Sequence, residues 1–452
     1  MRGGPVLGRS MARPTPKSSG PRLAALLLTA VGAGCVLAPD SDGDTTANAD
    51  GSGESTAGNA TSPGTPTTTD PTTGAEPDPD SSSSGGSDDP GNVETGDPPP
   101  TDCSMASLWL GNPYYDGELG GSNPTGHGRL DDPPLRSRHL GVVDGRLAVE
   151  TQTEVWILED DLLRRVAGNE ISEADRYRPV GDCADARFLV AEGIAGLPDG
   201  RLVVADPTGG GVVELSDPLA DDCIATPIAG NQETTLAVDI DEVGAPGDID
   251  GPGSEARFWG VSRPVADDDG NVYVIDRGNG KIKRIADDPD RTVTTLLAYN
   301  EVGNVLAMTV LDGVLYFTGT SGVDDGVWAL DPATGELETL FVGSGLFDEI
   351  PDDNQAMMFS LANDGVDLLV GTHQGYVMRL STAAFPLGPI AGYGHITDYP
   401  PDLDVGGPIP TTALPIDSYS GSEGSLVRLG TDILVSNLGG GTGYHVWSVH
   451  CE

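Results

Sequence analysis

One short strand-like segment recurs six times along this chain, and no other feature limits the fold as strongly. Each copy is a short β-rich run, and most copies follow a Gly or Asp turn. The copies are residues 146–151, 201–206, 271–276, 314–319, 367–372 and 432–437. The repetition predicts an array of similar β-units built around one large core.

Two further strand types complete each unit. The second type occurs at 154–158, 211–215, 281–285, 326–330, 375–380 and 444–449. The third type closes five units, at 165–169, 227–231, 296–300, 339–344 and 389–393, and its sixth copy lies at 108–112, at the other end of the domain. This displacement predicts an all-β, six-bladed β-propeller of four-stranded blades, closed by an N-terminal outer strand that completes the last blade.

Four cysteines bear on this closure. Cys103 precedes the displaced strand and Cys451 ends the last unit, so a disulfide there would replace the missing covalent turn. Cys183 and Cys223 are paired by elimination, with free thiols as the alternative. Simple blade connectivity places these two on opposite faces of the ring, so inserted loops must bring them together.

Two units resemble NHL repeats. The matching residues are Ala186-Arg187-Phe188 with Pro198-Asp199-Gly200, and Ala256-Arg257-Phe258 with Asp269-Gly270-Asn271. The other four units share only the strand pattern. The resemblance to this family implies a six-bladed propeller, here in a bacterial lipoprotein.

Some members of this propeller group are similar to a lyase that holds zinc with histidines from separate blades, and related lactonases bind axial Ca²⁺. The six histidines are His127, His139, His373, His395, His445 and His450. No three occupy equivalent inner positions, and aligning the units places His139 at the position of Ile194. A three-histidine zinc site is therefore not expected, whereas an axial Ca²⁺ site has no local signature that could show or exclude it.

The N-terminus predicts export. Basic residues precede an apolar run at 23–31, and Gly32-Ala33-Gly34 precedes Cys35. This order is typical of a lipoprotein signal peptide at 1–34, starting at Met1 or Met11, with a lipid on Cys35. The alternative is an ordinary signal peptide with an incidental cysteine. Position 36 is Val, not the aspartate that retains lipoproteins in the inner membrane of some bacteria. This difference favours the outer membrane.

Residues 35–102 predict a disordered acidic linker of Ser, Thr, Gly, Pro and Asp that separates a membrane from the domain at 103–452. Asp40, Asp42 and Asp44 have calcium-loop spacing, but Gly51 stands where the bidentate acid belongs. The formal net charge of −46 excludes nucleic acid as a partner. The chain is expected to be monomeric.

The inserted loops emerge on one face of the ring, which is the expected working surface. Its candidate binding residues are aromatic: Tyr114, Tyr115, Trp259, Tyr393, Tyr399 and Tyr419. The alternative is that these rings only pack the loops onto the ring. The candidate set for a hard cation is Asp239, Asp241, Asp248 and Asp250.

These patterns predict an envelope-anchored module that binds a protein or a carbohydrate without catalysis or a required cofactor. The alternative is a propeller enzyme, a lyase or lactone hydrolase, with an axial divalent metal. Serine-nucleophile motifs are absent from the sequence, and the triple-glycine turns at 209–211 and 439–441 do not open helices as phosphate-binding loops do.

Overall fold

The computed structural model describes part of the domain at 103–452. The described residues are 103–111, 127–129, 138–151, 153–159, 162–168, 179–230, 246–299, 302–321, 324–342, 358–372, 375–382, 388–392, 408–414, 416, 424–439 and 443–451. Cys35, the signal segment and the acidic linker lie outside them, so these predictions stay predictions. In the described ranges, no helix is long and apolar enough to cross a membrane.

Antiparallel sheets form the six blades. Before the first complete blade come β1 (Cys103–Gly111) and β2 (His127–Arg129). Blade I contains β3 (His139–Val143), β4 (Arg146–Glu150), β5 (Glu154–Glu159) and β6 (Leu162–Gly168). Blade II contains β7 (Gly181–Asp182), β8 (Ile194–Gly196), β9 (Leu202–Asp206), β10 (Gly211–Leu215) and β11 (Ile224–Gly230). Blade III contains β12 (Val261–Ala266), β13 (Val272–Asp276), β14 (Lys281–Ile285) and β15 (Val293–Ala298).

The second half of the ring repeats this plan. Blade IV contains β16 (Asn304–Leu311), β17 (Val314–Ser321), β18 (Asp324–Leu330) and β19 (Leu337–Val342). Blade V contains β20 (Met358–Asn363), β21 (Leu368–Thr372), β22 (Val377–Leu380) and β23 (Gly388–Ala391). Blade VI contains β24 (Ile409–Pro410), β25 (Ser425–Leu429), β26 (Asp432–Gly439) and β27 (Gly443–Cys451).

The innermost strands form a closed ring. They are β3, β8, β12, β16, β20 and β25, each contacts the next, and β25 contacts β3. The chain is therefore a six-bladed β-propeller, as the repeats predict. β2, β7 and β24 add a short fifth strand to blades I, II and VI.

The predicted closure is confirmed. β1 pairs antiparallel with β27 over its whole length and so supplies the outer strand of blade VI. Cys103 lies opposite Cys451, and the two form a disulfide between residues 348 positions apart. The sheet edge that an open ring would expose is thereby paired.

Cys183 and Cys223 also form a disulfide. β7 pairs with the start of β11, and the 3₁₀ turn Cys183–Asp185 follows it directly. The insertion before blade II therefore runs along the outer edge of its own blade to reach Cys223. This path brings Cys183 to Cys223, although simple blade connectivity would place the two cysteines on opposite faces of the ring.

The core lies between adjacent blades, where the apolar side chains of facing sheets meet. Trp156, Trp447, Phe188 and Phe258 are the largest fully buried aromatic side chains. Phe188 and Phe258 belong to the Ala-Arg-Phe segments that precede β8 and β12. Phe188 packs with residues of blades I and II, and Phe258 packs with residues of blades II and III. The repeated motif therefore holds neighbouring blades together.

Candidate binding site at the channel mouth

An axial cavity of about 490 Å³ lies within the ring and is lined by the innermost strands of all six blades. This volume falls in the usual range for small-molecule sites. The strands begin at one end, where the lining includes His139, Gly193, Arg263, Ser360 and Gly424. We call this end the channel mouth.

Arg263 extends over part of the channel mouth. A bulge interrupts the pairing of β12 and β13 between Ser262 and Val265, and Arg263 has φ +47°, a conformation that is uncommon outside glycine. Its backbone N–H donates to the carbonyl of Glu192 at 2.7 Å. Its Nη1 donates to the carbonyl of Phe359, so the side chain reaches from blade III to blade V. The strained backbone therefore places a buried guanidinium at the axis.

A second cavity of about 230 Å³ adjoins Arg263, and we call it the side pocket. Its lining includes Arg263, Arg277, Tyr299 and Asn304. Arg277 Nη1 lies 3.3 Å from Oε2 of Glu192. Arg263 therefore lines both cavities.

Tyr299 brings a hydroxyl group to the side pocket. Its Oη is buried and has no hydrogen-bond partner among the described residues. Burial is the main reason that the pKa of Tyr299 lies well above its ordinary value; Arg277 opposes this rise and Asp276 adds to it. The phenol is thus protonated at neutral pH and can donate a hydrogen bond.

His139 and Glu150 form a buried pair at the channel mouth. The residues face each other across β3 and β4, and Nδ1 of His139 lies 2.6 Å from Oε2 of Glu150. His139 is 7 % exposed, and its Nε2 is buried without a hydrogen-bond partner in the described structure. If the ring is neutral, Nδ1–H donates to Glu150 and Nε2 carries the lone pair.

The surroundings of His139 favour this neutral form. Burial first, and then the positive charges of Arg263, Arg138 and Arg277, hold the pKa of His139 well below its ordinary value. The channel mouth therefore combines the positive charge of Arg263 and Arg277 with a neutral imidazole.

The strand register corrects the predicted position of His139. Leu140 pairs with Val149 and Ile194 with Val204, so Leu140 occupies the position equivalent to Ile194. The turn between β3 and β4 is shorter than that between β8 and β9, and counting along the sequence misses this difference. Since side chains alternate along a strand, a shift of one position moves the side chain of His139 to the other face of the blade.

Trp259 is the described member of the predicted aromatic set, and it is 56 % exposed. Its backbone N–H donates to the carboxylate of Asp276, and its backbone carbonyl accepts from the N–H of Gly278. A Cβ at position 278 would lie 2.4 Å from Cγ of Trp259, so the indole rests on this glycine. It flanks Arg277, which contacts Gly260. Tyr114, Tyr115, Tyr393, Tyr399 and Tyr419 lie outside the described residues.

The acidic candidate set is partly described. Asp248 contacts both Lys281 and Lys283, and Asp250 lies 3.2 Å from Nζ of Lys283 and accepts from Thr295. These lysines occupy the position that a cation would take. Asp239 and Asp241 lie outside the described part of the chain.

The donor groups at the axis do not fit a hard divalent cation. No Asp or Glu occurs among the described residues that line either cavity, whereas Arg263, Arg277 and Arg428 do. Across the described ranges, no three His, Cys, Asp or Glu residues are grouped to hold a metal ion. We therefore derive no chemistry from an axial metal.

Asp206 and Asp276 cap turns. Asp206 accepts hydrogen bonds from the N–H groups of Leu189 and Gly209, each at 2.7 Å. Asp276 accepts from Trp259 in the equivalent way. These carboxylates thus fix the segments that lead into β8 and β12.

The sequence interpretation missed His139, Arg263, Arg277 and Tyr299 as a site. A usable signal was present for His139 and Arg263, because both are ionisable residues near the start of an inner strand. Arg263 also precedes Pro264, a combination that restricts the backbone.

No protein-family model matches this chain, and a search of curated proteins finds no match. Several solved propeller structures are similar to it. An auxiliary nutrient-binding protein from Bacteroides thetaiotaomicron has 10 % identity and a TM-score of 0.47, covering 77 % of each chain. A gluconolactonase from Xanthomonas campestris has 12 % identity and a TM-score of 0.44, covering 80 % of this chain and 99 % of that one. Virginiamycin B lyase from Staphylococcus aureus has 11 % identity and a TM-score of 0.40, covering 71 % and 97 %. These likenesses concern the fold alone.

Proposed function

We propose that this protein is an envelope-tethered binding module whose channel mouth takes a carbohydrate carrying a carboxylate. The observation that carries the proposal is the pair of arginines at the channel mouth: Arg263 lines both cavities and Arg277 lines the side pocket. In a chain of net charge −46, this is a local concentration of positive charge. Guanidinium groups bind carboxylates through paired, charge-assisted hydrogen bonds.

The remaining lining supports the carbohydrate part of the proposal. Thr309, Ser360, Asn363 and Ser425 add hydroxyl and amide groups to the axial cavity. Such groups can exchange hydrogen bonds with sugar hydroxyls. Trp259 offers an exposed ring beside Arg277, and aromatic rings of this kind pack against apolar faces of partners.

Calorimetry with two matched trisaccharides tests the proposal. Trigalacturonate should bind, and the uncharged galactose trisaccharide of the same linkage should bind at least about tenfold more weakly, since a charge-assisted hydrogen bond contributes about 1.5–3 kcal/mol. Arg277→Met should lower the affinity for trigalacturonate by about tenfold or more. Equal binding of the two sugars, or no binding, would contradict the proposal.

Arg146→Met is the matched control for Arg277→Met. The two arginine side chains are similarly exposed, at 43 % and 42 %. Arg146 begins β4 and lies beside Asp144, at the opposite end of blade I from the channel mouth. Its replacement should leave trigalacturonate binding unchanged.

The tether is part of the same proposal. A lipid on Cys35 and the acidic linker at 35–102 would hold a monomeric propeller away from the outer membrane. Intact-mass analysis of the mature protein from its native membrane should give a chain that begins at Cys35 with a lipid adduct. A chain without lipid, or one that begins elsewhere, would contradict this part and leave the ligand proposal standing.

A further inference from the structure

Three side chains on the outer part of blade VI are joined by hydrogen bonds, away from the channel mouth. Oγ of Ser107 lies 2.8 Å from Nε2 of His450, and Nδ1 of His450 lies 3.1 Å from Oδ2 of Asp432. These residues line neither the axial cavity nor the side pocket. A serine, a histidine and a carboxylate joined in this order can activate the serine hydroxyl for acyl transfer, whatever their order in the sequence.

The strand register places the three side chains on one face of the blade. They come from β1, β27 and β26, which are neighbours in the sheet. Ser107 lies opposite Ser448, and His450 lies two positions further along β27, so the side chains of Ser107 and His450 point to the same face. The register of β26 with β27 puts Asp432 beside His450.

Closure of the ring creates this arrangement. Ser107 and His450 are 343 positions apart in the sequence, and they meet because β1 completes the blade to which β27 belongs. The disulfide between Cys103 and Cys451 joins the same two strands, and Cys451 directly follows His450. The disulfide therefore restricts movement of Ser107 relative to His450.

The partners of His450 determine the positions of its proton and its lone pair. An ionised carboxylate only accepts hydrogen bonds, so Asp432 fixes the N–H of the neutral ring at Nδ1. Nε2 then carries the lone pair and accepts a hydrogen bond from the hydroxyl of Ser107. Oγ of Ser448 donates to the same carboxylate oxygen of Asp432 at 2.9 Å and holds it in place.

These groups are open to solvent. The side chain of His450 is 40 % exposed and that of Asp432 is 34 % exposed, and Ser107 is half-buried. A small substrate can therefore reach the hydroxyl. Met105 lies two positions before Ser107 on the same face and is exposed, so it offers an apolar contact to a short acyl chain.

We propose that Ser107 is a nucleophile and that this site on blade VI hydrolyses small, activated carboxylic esters. Ser107 and His450 are the catalytic residues, and Asp432 and Ser448 are positioning residues. The proposal goes beyond the binding function and does not depend on it, because it concerns another part of the ring and other side chains.

The reaction needs only the ester and water. Nε2 of His450 takes the hydroxyl proton of Ser107 as Oγ bonds to the carbonyl carbon, and the carbonyl electron pair moves to its oxygen. That pair re-forms the carbonyl as the bond to the alcohol oxygen breaks, and the alcohol leaves with the proton from His450. Water then gives a proton to His450 and attacks the acyl group. The carboxylic acid leaves, and Oγ of Ser107 recovers its proton from His450.

The backbone beside Ser107 limits the class of substrate. β24 pairs with β1 at Met105 and Ala106, so beyond Ala106 the outer edge of β1 has no strand partner among the described residues. N–H groups on such an edge are available to a carbonyl oxygen, but in contact with water they stabilise an oxyanion less than buried donors do. We therefore expect hydrolysis of esters with good leaving groups, such as p-nitrophenyl acetate, and not of amides.

Covalent labelling tests the nucleophile. The purified full-length protein is incubated with a biotinylated fluorophosphonate, which bonds its phosphorus to an activated serine oxygen and releases fluoride. Peptide mass spectrometry locates the adduct, which we expect on Ser107. His450→Gln should slow the labelling at least about a hundredfold, the usual contribution of a general base. Asp432→Asn should also slow it, because an amide N–H opposite Nδ1 favours the wrong tautomer of the ring.

Release of p-nitrophenolate from p-nitrophenyl acetate gives a second readout. Ser107→Ala should reduce this release to the rate measured without protein. Ser104→Ala is the matched control, because Ser104 is an exposed serine on the same strand. It should be labelled and should hydrolyse the ester at the wild-type rates. Urea unfolding of each variant establishes that it is folded.

The outcomes decide the proposal. An adduct on Ser107 that requires His450, together with hydrolysis that requires Ser107, would support it. Absence of the adduct, equal labelling of the wild type and folded His450→Gln, or hydrolysis that is absent or survives Ser107→Ala would overturn it. None of these results bears on trigalacturonate binding, because Ser107 lines neither cavity.

Discussion

His139 and Glu150 are directly opposite each other on the two inner strands of blade I, with Nδ1 of the ring 2.6 Å from the carboxylate. Both are buried, and Glu150 is completely inaccessible to solvent. Burial first, and then the positive charges of Arg263, Arg138 and Arg277, hold the pKa of His139 well below its ordinary value. The pair thus orients a neutral ring and has measurable consequences for stability.

The lowered pKa of His139 makes stability depend on pH. Below pH about 6.5 the unfolded chain protonates this histidine while the folded protein does not, so folding becomes less favourable as the pH falls through that window. The loss should approach about 1.4 kcal/mol per pH unit. Urea unfolding from about pH 5 to about pH 8, a range that includes the ordinary histidine pKa, should show this slope in the free energy of unfolding. His139→Gln should remove the slope. A slope that survives this substitution would place its origin elsewhere; His450→Gln, a partly exposed histidine on β27, is the control.

The disulfide between Cys103 and Cys451 should stabilise the protein more than that between Cys183 and Cys223. The first closes a loop of 348 residues and the second a loop of 40, and the entropy of a longer loop in the unfolded chain is greater. Replacing both cysteines of a pair by serine should cost about 2–5 kcal/mol, with the Cys103 and Cys451 pair about 1–2 kcal/mol more costly.

Hydrogen exchange provides the structural check on the disulfide prediction. Only loss of the Cys103–Cys451 bond should speed amide exchange in β1 and β27, because these strands close the ring. Equal protection of β1 in both double variants would show that the strand pairing alone holds the ring closed.

The fold could be predicted because it depends on repetition. The strand alternation, the displaced outer strand and the positions of Cys103 and Cys451 all follow from patterns that survive in a single sequence. Even the capping role of Asp206 follows from its place at the end of a strand before a glycine turn.

The site could not be predicted in the same way. Arg263 reaches Phe359 because a bulge and a positive φ turn it toward the axis, and neither has a clear signature in the sequence. His139 belongs to blade I, whereas Arg277 and Tyr299 follow strands of blade III, so these residues share one end of the ring only because the blades close around the axis. The position of His139 also depended on a difference in turn length that strand periodicity does not record.

Asp206 gives a second pH-dependent contribution, of opposite sign. Burial raises its pKa from 3.8 to about 6, against hydrogen bonds from Gly209, Leu189 and Val190 that lower it. The folded state therefore holds this proton at higher pH than the unfolded state does, and the stabilisation present below pH about 4 is lost as the pH rises to about 6.

Asp206→Asn tests that contribution. Between pH about 4 and about 6, the Asp206 contribution should lower the free energy of unfolding of the wild type by about 2–3 kcal/mol. The variant should not show this decrease. The His139 contribution is common to both proteins and cancels in the comparison. Asp199→Asn, at an exposed turn, should leave the decline intact.

Lys283 should contribute far more to stability than Lys281, although the two alternate on β14. The ammonium group of Lys283 is fully buried and lies within 3.4 Å of carboxylate oxygens of Asp248, Asp250 and Asp276. Burial alone would lower its pKa, but the hydrogen bond to Asp248 and the charges of Asp276 and Asp250 raise it, so the lysine is charged. Asp276 is itself inaccessible to solvent.

Lys283→Met leaves the buried carboxylate of Asp276 without its cation, and loss of one partner from a buried ion pair costs about 3–5 kcal/mol. Lys281→Met is the matched control on the same strand: it contacts Asp248, its side chain is partly exposed, and its loss should cost no more than about 1 kcal/mol. Urea unfolding of both variants at neutral pH gives the comparison. Because Asp276 also holds the N–H of Trp259, Lys283→Met should increase the exposure of Trp259 fluorescence to a quencher, whereas Lys281→Met should not. Equal stability of the two variants would mean that Asp276 is stabilised by its backbone and Asn279 hydrogen bonds without need of the buried cation.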